Sequence, residues 1–327
     1  MLAAAVVAPA RISAAPPPGI PDGWSDGFVY ANGIRMHYYH AVPATGKPVM
    51  VMFHGVTDNG LCWTTLTWKL QDAYDIYMVD TRGHGLSDPF TPSDNGDTLI
   101  KDVVEFVRAM KFDKPILMGH SMGAATVMRV GAEYPDLAKA IIMLDPGVGG
   151  GPGRGAAAPG ATPGGAGRGT AGPAAAPGGQ ARGAAAPAPP ADPLAFSMVA
   201  APEILANQNN YGFDDLVAKC RRQTPKWAVA DCQYWALSKK QYHGPYTSEA
   251  SQAMTGSMRT NDALAKITAP AVILKADATP EVRKQHLEAT KVMQKGKLVH
   301  IDGAGHNLHH DQLARTVEVV KEFLSKL

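Results

Sequence analysis

The sequence predicts an α/β fold, a mostly parallel sheet flanked by helices. Three observations carry this. The runs at 49–53 (Val-Met-Val-Met-Phe), 115–118 (Pro-Ile-Leu-Met) and 138–144 (Ala-Lys-Ala-Ile-Ile-Met-Leu) are nearly continuous in apolar residues, as strands buried on both faces require. Between such runs lie stretches of helical periodicity, in which Leu99, Val103, Phe106, Val107 and Met110 share one face. Strands alternating with helices build a parallel sheet. Third, Gly119-His120-Ser121-Met122-Gly123 follows the second run directly and matches Gly-x-Ser-x-Gly, a sharp strand-to-helix turn whose glycines let neighbouring backbone pass where a Cβ would collide.

The elements follow in order. Residues 28–30 and 34–40 read as an opening hairpin: Ile34, Met36 and Tyr38 alternate with Arg35, His37 and Tyr39, and Asn32-Gly33 supplies the tight turn. The strand at 49–53 ends in His54-Gly55-Val56. Residues 61–71 read as the first helix and 75–80 (Asp-Ile-Tyr-Met-Val-Asp) as the next strand, followed by Thr81-Arg82-Gly83-His84-Gly85. Helices are predicted over 98–110, 124–134, 280–294 and 308–327, and strands over 271–274 and 298–301, the last leading into Asp302-Gly303-Ala304-Gly305-His306.

Two segments depart from this pattern. Residues 147–193 are almost entirely Gly, Ala and Pro, interrupted by Arg154, Arg168 and Arg182; with no periodic apolar face, this stretch reads as a disordered insertion. Residues 194–265 are polar and aromatic, with Tyr211, Phe213, Trp227, Tyr234, Trp235, Tyr242 and Tyr246 spaced as in several short helices. The predicted organisation is a disordered tail (1–24), a first core segment (25–146), the insertion (147–193), a helical cap (194–265) and a second core segment (266–327).

At 327 residues and 45% apolar composition, the chain can bury one α/β core with a lid. A net charge of +2 without a basic run gives no nucleic-acid or membrane-binding surface, and no stretch is long enough to span a bilayer. Residues 2–8 are apolar and precede Ala8-Pro9-Ala10, faintly like the end of a signal peptide, but no positive residue comes before them. The compartment stays open: cytoplasmic is favoured slightly, and export is the alternative. All three cysteines are expected as buried thiols, although Cys220 and Cys232 could pair in an exported protein.

Taken together, His54-Gly55-Val56, the Ser121 pentapeptide and the late Gly305-His306 loop resemble the α/β-hydrolase family, over nearly the whole chain except the tail and the insertion. The resemblance implies an eight-stranded sheet with a helical cap inserted after the strand that follows the nucleophile helix. It also implies a triad in the chain order Ser, acid, His. Ser121 would be the nucleophile and His306 its base. The acid is expected at Asp277, after the strand that follows the lid, although Lys275-Ala276-Asp277 lacks the glycine usual at that corner; Asp145, in Leu144-Asp145-Pro146, is the alternative. The loser would be a structural carboxylate at a strand end. The backbone N–H groups of Met122 and Val56 would form the oxyanion hole.

Neighbouring residues have plainer readings. Asp58-Asn59-Gly60 is expected as a helix-capping turn, Asp80, Arg82 and His84 as loop braces, and His120 as a buttress. Trp63 and Trp235 are candidate substrate-binding residues. His309 and His310 read as a solvated helix start in preference to a metal site. No metal or cofactor is implied.

A serine at the centre argues against the branches with an aspartate nucleophile and leaves acyl transfer to water. The leading expectation is hydrolysis of a small-molecule carboxylic ester through an acyl-serine. Cleavage of a carbon–carbon bond, an amide or a lactone, perhydrolysis, and ligand reception without catalysis are the alternatives. Oligomeric state is not specified.

Overall fold

In a computed structural model, which describes residues 17–43, 45–148, 203, 210–245 and 260–327, the apolar runs pair into one sheet. Its strands are β1 (Ser25–Ala31), β2 (Ile34–His40), β3 (Val49–Phe53), β4 (Asp75–Val79), β5 (Ile116–His120), β6 (Ala140–Leu144), β7 (Ala271–Lys275) and β8 (Gly296–His300). The spatial order of this eight-stranded sheet is β1-β2-β4-β3-β5-β6-β7-β8. β2 pairs antiparallel with β1 and β4, and every later pair is parallel.

Because side chains alternate along a strand, each central strand feeds two cores. Met50, Met52, Ile116, Met118, Ile142, Leu144, Val272 and Leu274 enter one. Val51, Phe53, Leu117, Ile141, Met143, Ala271 and Ile273 enter the other. Each fully buried Val, Leu, Ile, Met or Phe among them contributes roughly 1.5–3 kcal/mol.

The helices are α1 (Thr64–Thr67), α2 (Gly96–Ala109), α3 (Met122–Glu133), α4 (Phe213–Gln223), α5 (Val229–Lys240), α6 (Thr260–Lys266), α7 (Pro280–Thr290), α8 (Leu308–Asp311) and α9 (Leu313–Leu324). α2 starts on a capping box: Asn95 Oδ1 accepts from the N–H groups of Asp97 and Thr98, and Thr98 Oγ1 accepts from Asn95 N.

Several boundaries differ from expectation. The first helix shrinks to a 3₁₀ turn (Gly60–Trp63) and the single turn α1, because the aromatic and β-branched residues Trp63, Thr64, Thr65 and Thr67 are poor helix formers. The closing helix breaks at Gln312 (φ −138°, ψ 57°), whose side chain turns to Gly303 O. In β2 the alternation does not mark burial. His37 is as buried as Met36 because Asp80 and Asp26 receive both nitrogens of its ring, and Tyr39 is buried edge-on against it in the apolar core.

The tail before residue 17, most of the Gly/Ala/Pro insertion, and cap residues 194–202, 204–209 and 246–259 lie outside the described residues. Among the described ones, no helix is long and apolar enough to cross a membrane. Helices α4 and α5, within the segment expected to form a cap, pack together around Cys220, Trp227 and Cys232. Here the expectation of three buried thiols is corrected: Cys220 and Cys232 form a disulfide, and Cys62 remains a buried thiol whose pKa burial raises. The two pair because α4 and α5 pack against each other across a short turn, which leaves their Cα atoms 5.5 Å apart.

A cross-link closing so short a loop is worth ~3 kcal/mol by chain entropy. Reduction by dithiothreitol is therefore expected to lower the melting temperature measurably. Thiol titration of the unfolded, unreduced protein should find Cys62 alone; titration of all three cysteines would disprove the cross-link.

Candidate active site

The candidate residues gather at the carboxyl ends of the parallel strands, where open α/β sheets bind ligands. The turn after β5 is the tightest feature. Ser121 has φ 50° and ψ −110°, a conformation costly for a residue with a Cβ. A Cβ on Gly119 would strike the backbone of Gly123, and one on Gly123 would strike Phe53 O. Gly123 N donates to His54 O (3.1 Å), which ties the start of α3 to the end of β3.

Two backbone donors flank this tie, one on each segment. Met122 opens α3, where N–H groups lack helical partners and the helix dipole is positive. Val56 lies in the turn after β3, closed by Asp58 N donating to Gly55 O (3.2 Å). Among the described residues, neither the Met122 nor the Val56 N–H has a hydrogen-bond partner.

His306 stands in the loop after β8. Its Nδ1 lies 2.6 Å from Asp145 Oδ2. Its backbone oxygen accepts from His120 Nε2 (3.0 Å), and the two rings lie 4.8 Å apart. His306 is thus seated on the residue that precedes Ser121. No hydrogen bond joins Ser121 to His306 among the described residues; in unliganded sites such bonds are often long and tighten around substrate.

The expectation that Asp277 would pair with His306 is corrected. Asp145 follows β6, the immediate neighbour of β5, and its left-handed backbone (φ 48°) leaves its carboxylate facing the histidine. Its other oxygen accepts from Lys275 Nζ (2.5 Å) and Ala276 N (3.1 Å). Burial pushes the Asp145 pKa upward, but the hydrogen bond with His306 and the Lys275 ammonium outweigh it and hold the group below the ordinary carboxylate range. Asp277 is one strand further out. It accepts from Gly303 N (2.8 Å) and Arg283 Nη2 (2.5 Å), which lower its pKa, while its own N–H donates to Ala304 O (2.9 Å). Asp277 therefore fastens the base of the loop that presents His306.

The other expected residues find definite places. Asp80 is fully buried and accepts from His37 Nδ1, Gly60 N and Leu86 N. Arg82 forks onto Asp102 through Nε and Nη2 (2.9 and 2.8 Å). His84 donates through Nδ1 to Arg82 O, leaving Nε2 to accept from Thr57 N (3.2 Å); burial lowers its pKa and keeps the ring neutral. Burial also pushes His120 down to about 3, and the neighbouring His306 lowers it further. Trp63 is fully buried in the core against His309 (rings 4.8 Å apart) and edge-on to His120 (6.5 Å). Trp235 is half-buried in the cap beside the disulfide, with Lys239 Nζ 5.2 Å from its ring.

Two readings are corrected by packing. His309 and His310 are buried, not solvated, because the break at Gln312 folds α8 inward against Trp63 and Trp227. Asp58 and Asn59 do not cap the following turn through their side chains. They reach the cap instead, Asp58 to Lys239 Nζ (2.9 Å) and Asn59 Nδ2 to Gln241 Oε1 (2.8 Å). Sequence reasoning missed Lys239 and Lys275; the one available signal was a lysine ending an otherwise apolar strand, Ala-Val-Ile-Leu-Lys.

Residues 50–319 match the family model described as "Alpha/beta hydrolase family". A 2-(acetamidomethylene)succinate hydrolase of Mesorhizobium japonicum is 35% identical over 98 residues, 30% of this chain and 35% of that protein. An N-formylmaleamate deformylase of Pseudomonas putida is 36% identical over 132 residues, 40% of this chain and 48% of that protein. The chain thus spans half or less of the length of these relatives. Among solved structures, an E-2-(acetamidomethylene)succinate hydrolase superposes with a TM-score of 0.63 at 18% identity, covering 92% of this chain and 99% of that one. An N-formylmaleamic acid deformylase from Pseudomonas putida S16 gives 0.62 at 20% identity, covering 90% and 100%. At these identities the likeness is one of fold.

The Asp145 arrangement carries a pH signature. A carboxylate whose pKa is lowered by folding adds stability that is complete above its unfolded value, near 4, and is lost as pH falls through the folded value. Acid denaturation below pH 4 should therefore be less steep in Asp145→Asn than in the parent, as read by circular dichroism. Identical acid limbs would show that the pairing contributes nothing.

Proposed function

The chain belongs to the α/β-hydrolase family, and from that premise we propose that it is a serine hydrolase that cleaves small carboxylic esters through an acyl-serine. The observation that carries this reading is the His306–Asp145 pair (2.6 Å) seated beside the strained Ser121 turn, with two unpartnered backbone N–H groups adjoining it. Asp145 fixes the imidazole with Nδ1–H toward the carboxylate, leaving Nε2 as the base. His306 takes the Ser121 proton as Oγ attacks the ester carbonyl. The N–H groups of Met122 and Val56 receive the negative charge on the carbonyl oxygen. His306 returns the proton to the departing alkoxide, and the alcohol leaves. Water, deprotonated by the same imidazole, then attacks the acyl-serine; the proton passes back to Ser121 Oγ, and the acid is released. No metal or cofactor enters these steps.

A second reading is favoured by one observation. Two similar proteins are named for an N-formyl and an acetamidomethylene substrate, in which an acyl group is joined to nitrogen. The same steps would cleave that bond, with His306 protonating the departing nitrogen. The Cys220–Cys232 disulfide supports the exported of the two locations, since such bonds persist in oxidising compartments.

p-Nitrophenyl acetate turnover, assayed beside an N-formyl amide, tests both readings. Ser121→Ala should abolish turnover, and retained turnover in that variant would refute the mechanism. Asp145→Asn should lower kcat by ~10⁴, the scale of forcing a triad histidine into the wrong tautomer. Asp277→Asn should stay within about tenfold of the parent, the scale of a slightly misplaced catalytic loop; a larger loss there than in Asp145→Asn would exchange the two roles.

A further inference from the structure

The turn that carries Val56 N–H is held in an unfavourable shape. It runs Gly55-Val56-Thr57-Asp58 and closes through Asp58 N to Gly55 O. Its third residue has positive φ, the place where turns of this kind take glycine. Here it is Thr57, at φ 67°. A β-branched side chain in the left-handed region persists only when its surroundings dictate it.

Those surroundings centre on one ammonium from the cap. Lys239, in the last turn of α5, is buried at 4% exposure. Its Nζ donates to Thr57 O (2.8 Å), Thr57 Oγ1 (2.8 Å) and Asp58 Oδ1 (2.9 Å). A lysine ammonium has three hydrogens, and this turn takes all of them. A buried ammonium is tolerated only when paired in this way. On the other side of the turn, Thr57 N is held by the neutral His84 ring. The backbone carbonyl, the hydroxyl and the amide of Thr57 are thus all fixed, and two of the three by a residue 182 positions away.

We propose that Lys239 is a positioning residue for the oxyanion hole: its ammonium clamps Thr57 in the left-handed conformation, aims the Val56 N–H at the site, and makes a docked cap a condition of catalysis. Lys239 touches neither Ser121 nor His306, so it acts through the turn alone. The proposal rests on the serine-hydrolase reading.

The experiment uses the full chain, with p-nitrophenyl acetate kinetics and the rate of Ser121 labelling by an alkyl fluorophosphonate, whose phosphoryl oxygen occupies the same hole. Lys239→Met should lower kcat and the labelling rate together by about thirtyfold, with KM changed less than about threefold, as expected when a donor is misaimed and not removed. Adding Thr57→Gly should restore at least about tenfold, because glycine adopts positive φ without a clamp. A purely structural role for Lys239 predicts no such rescue. Asn59→Ala, which cuts the neighbouring Gln241 contact, should leave kcat nearly unchanged.

If Lys239→Met does not fold, Asp58→Asn and the Thr57→Gly/Lys239→Met pair are compared with Thr57→Gly alone. Asp58→Asn weakens one arm of the clamp and should lower kcat by a smaller factor, and the double variant should match Thr57→Gly. Labelling of Lys239→Met at the parental rate overturns the proposal, as does a defect confined to KM or a loss that Thr57→Gly leaves untouched. If the parent is neither labelled nor active, the serine reading falls and the proposal falls with it.

Discussion

The site depends on the contact between two backbones where the start of α3 crosses the end of β3. Gly123 N donates to His54 O, and no side chain fits between Gly123 and Phe53. That approach, together with the pairing of Phe53 with Gly119, ties the Met122 and Val56 N–H groups, which come from segments more than sixty residues apart. It also compels the left-handed backbone of Ser121, since the chain must reverse within one residue to leave β5 and enter α3. The local cost of that conformation is of order 1–3 kcal/mol, and the two buried faces of the sheet are large enough to sustain it.

From this fixed point the remaining groups are placed by strand order. β6 adjoins β5, so a carboxylate on its end reaches the histidine with no intervening element. β7 is one strand further, and its terminal aspartate serves the His306 loop from below through Gly303 N. Asp145 and Asp277 therefore divide two tasks, orienting the imidazole and anchoring the loop that carries it. Lys275 links them in the chain, because the short corner that delivers Asp277 also puts a lysine beside Asp145.

The sheet and the Ser121 turn were legible in the sequence because they follow from local rules: continuous apolar runs, glycines at a crossing, helical spacing after it. The acid was harder to read for a physical reason. Two strand ends each offered an aspartate, and which one faces His306 depends on strand adjacency and on a left-handed Asp145, neither of which a linear pattern reports. His309 and His310 were misread because the helix break at Gln312 is a tertiary event, tied to Gly303 O. Asp58-Asn59-Gly60 looks like a capping turn by composition, yet its side chains are drawn to α5 and the residue just beyond it by partners about 182 positions away. The disulfide was visible as a possibility from spacing and became definite only once α4 and α5 lay side by side.

The cap is more than a cover in this arrangement. α5 grips the Val56 turn through Lys239, and Gln241 just beyond it holds Asn59. The cap also reaches the His306 loop: Trp227 Nε1 donates to Asp311 Oδ1 (2.7 Å), and the other oxygen of Asp311 accepts from Gly305 N (2.8 Å), next to the histidine. Asp231 on the same helix accepts from Thr65 Oγ1 and lies 3.1 Å from His310 Nδ1. One short pair of helices with its connecting turn, cross-linked by Cys220–Cys232, therefore contacts both the Val56 turn and the His306 loop. A cap that only shielded substrate would need apolar contact with the core. Buried ionic and hydrogen-bonded contacts are costly to form and direction-specific once formed, so under the proposed mechanism the docked position of these helices would be felt by both loops that the chemistry uses.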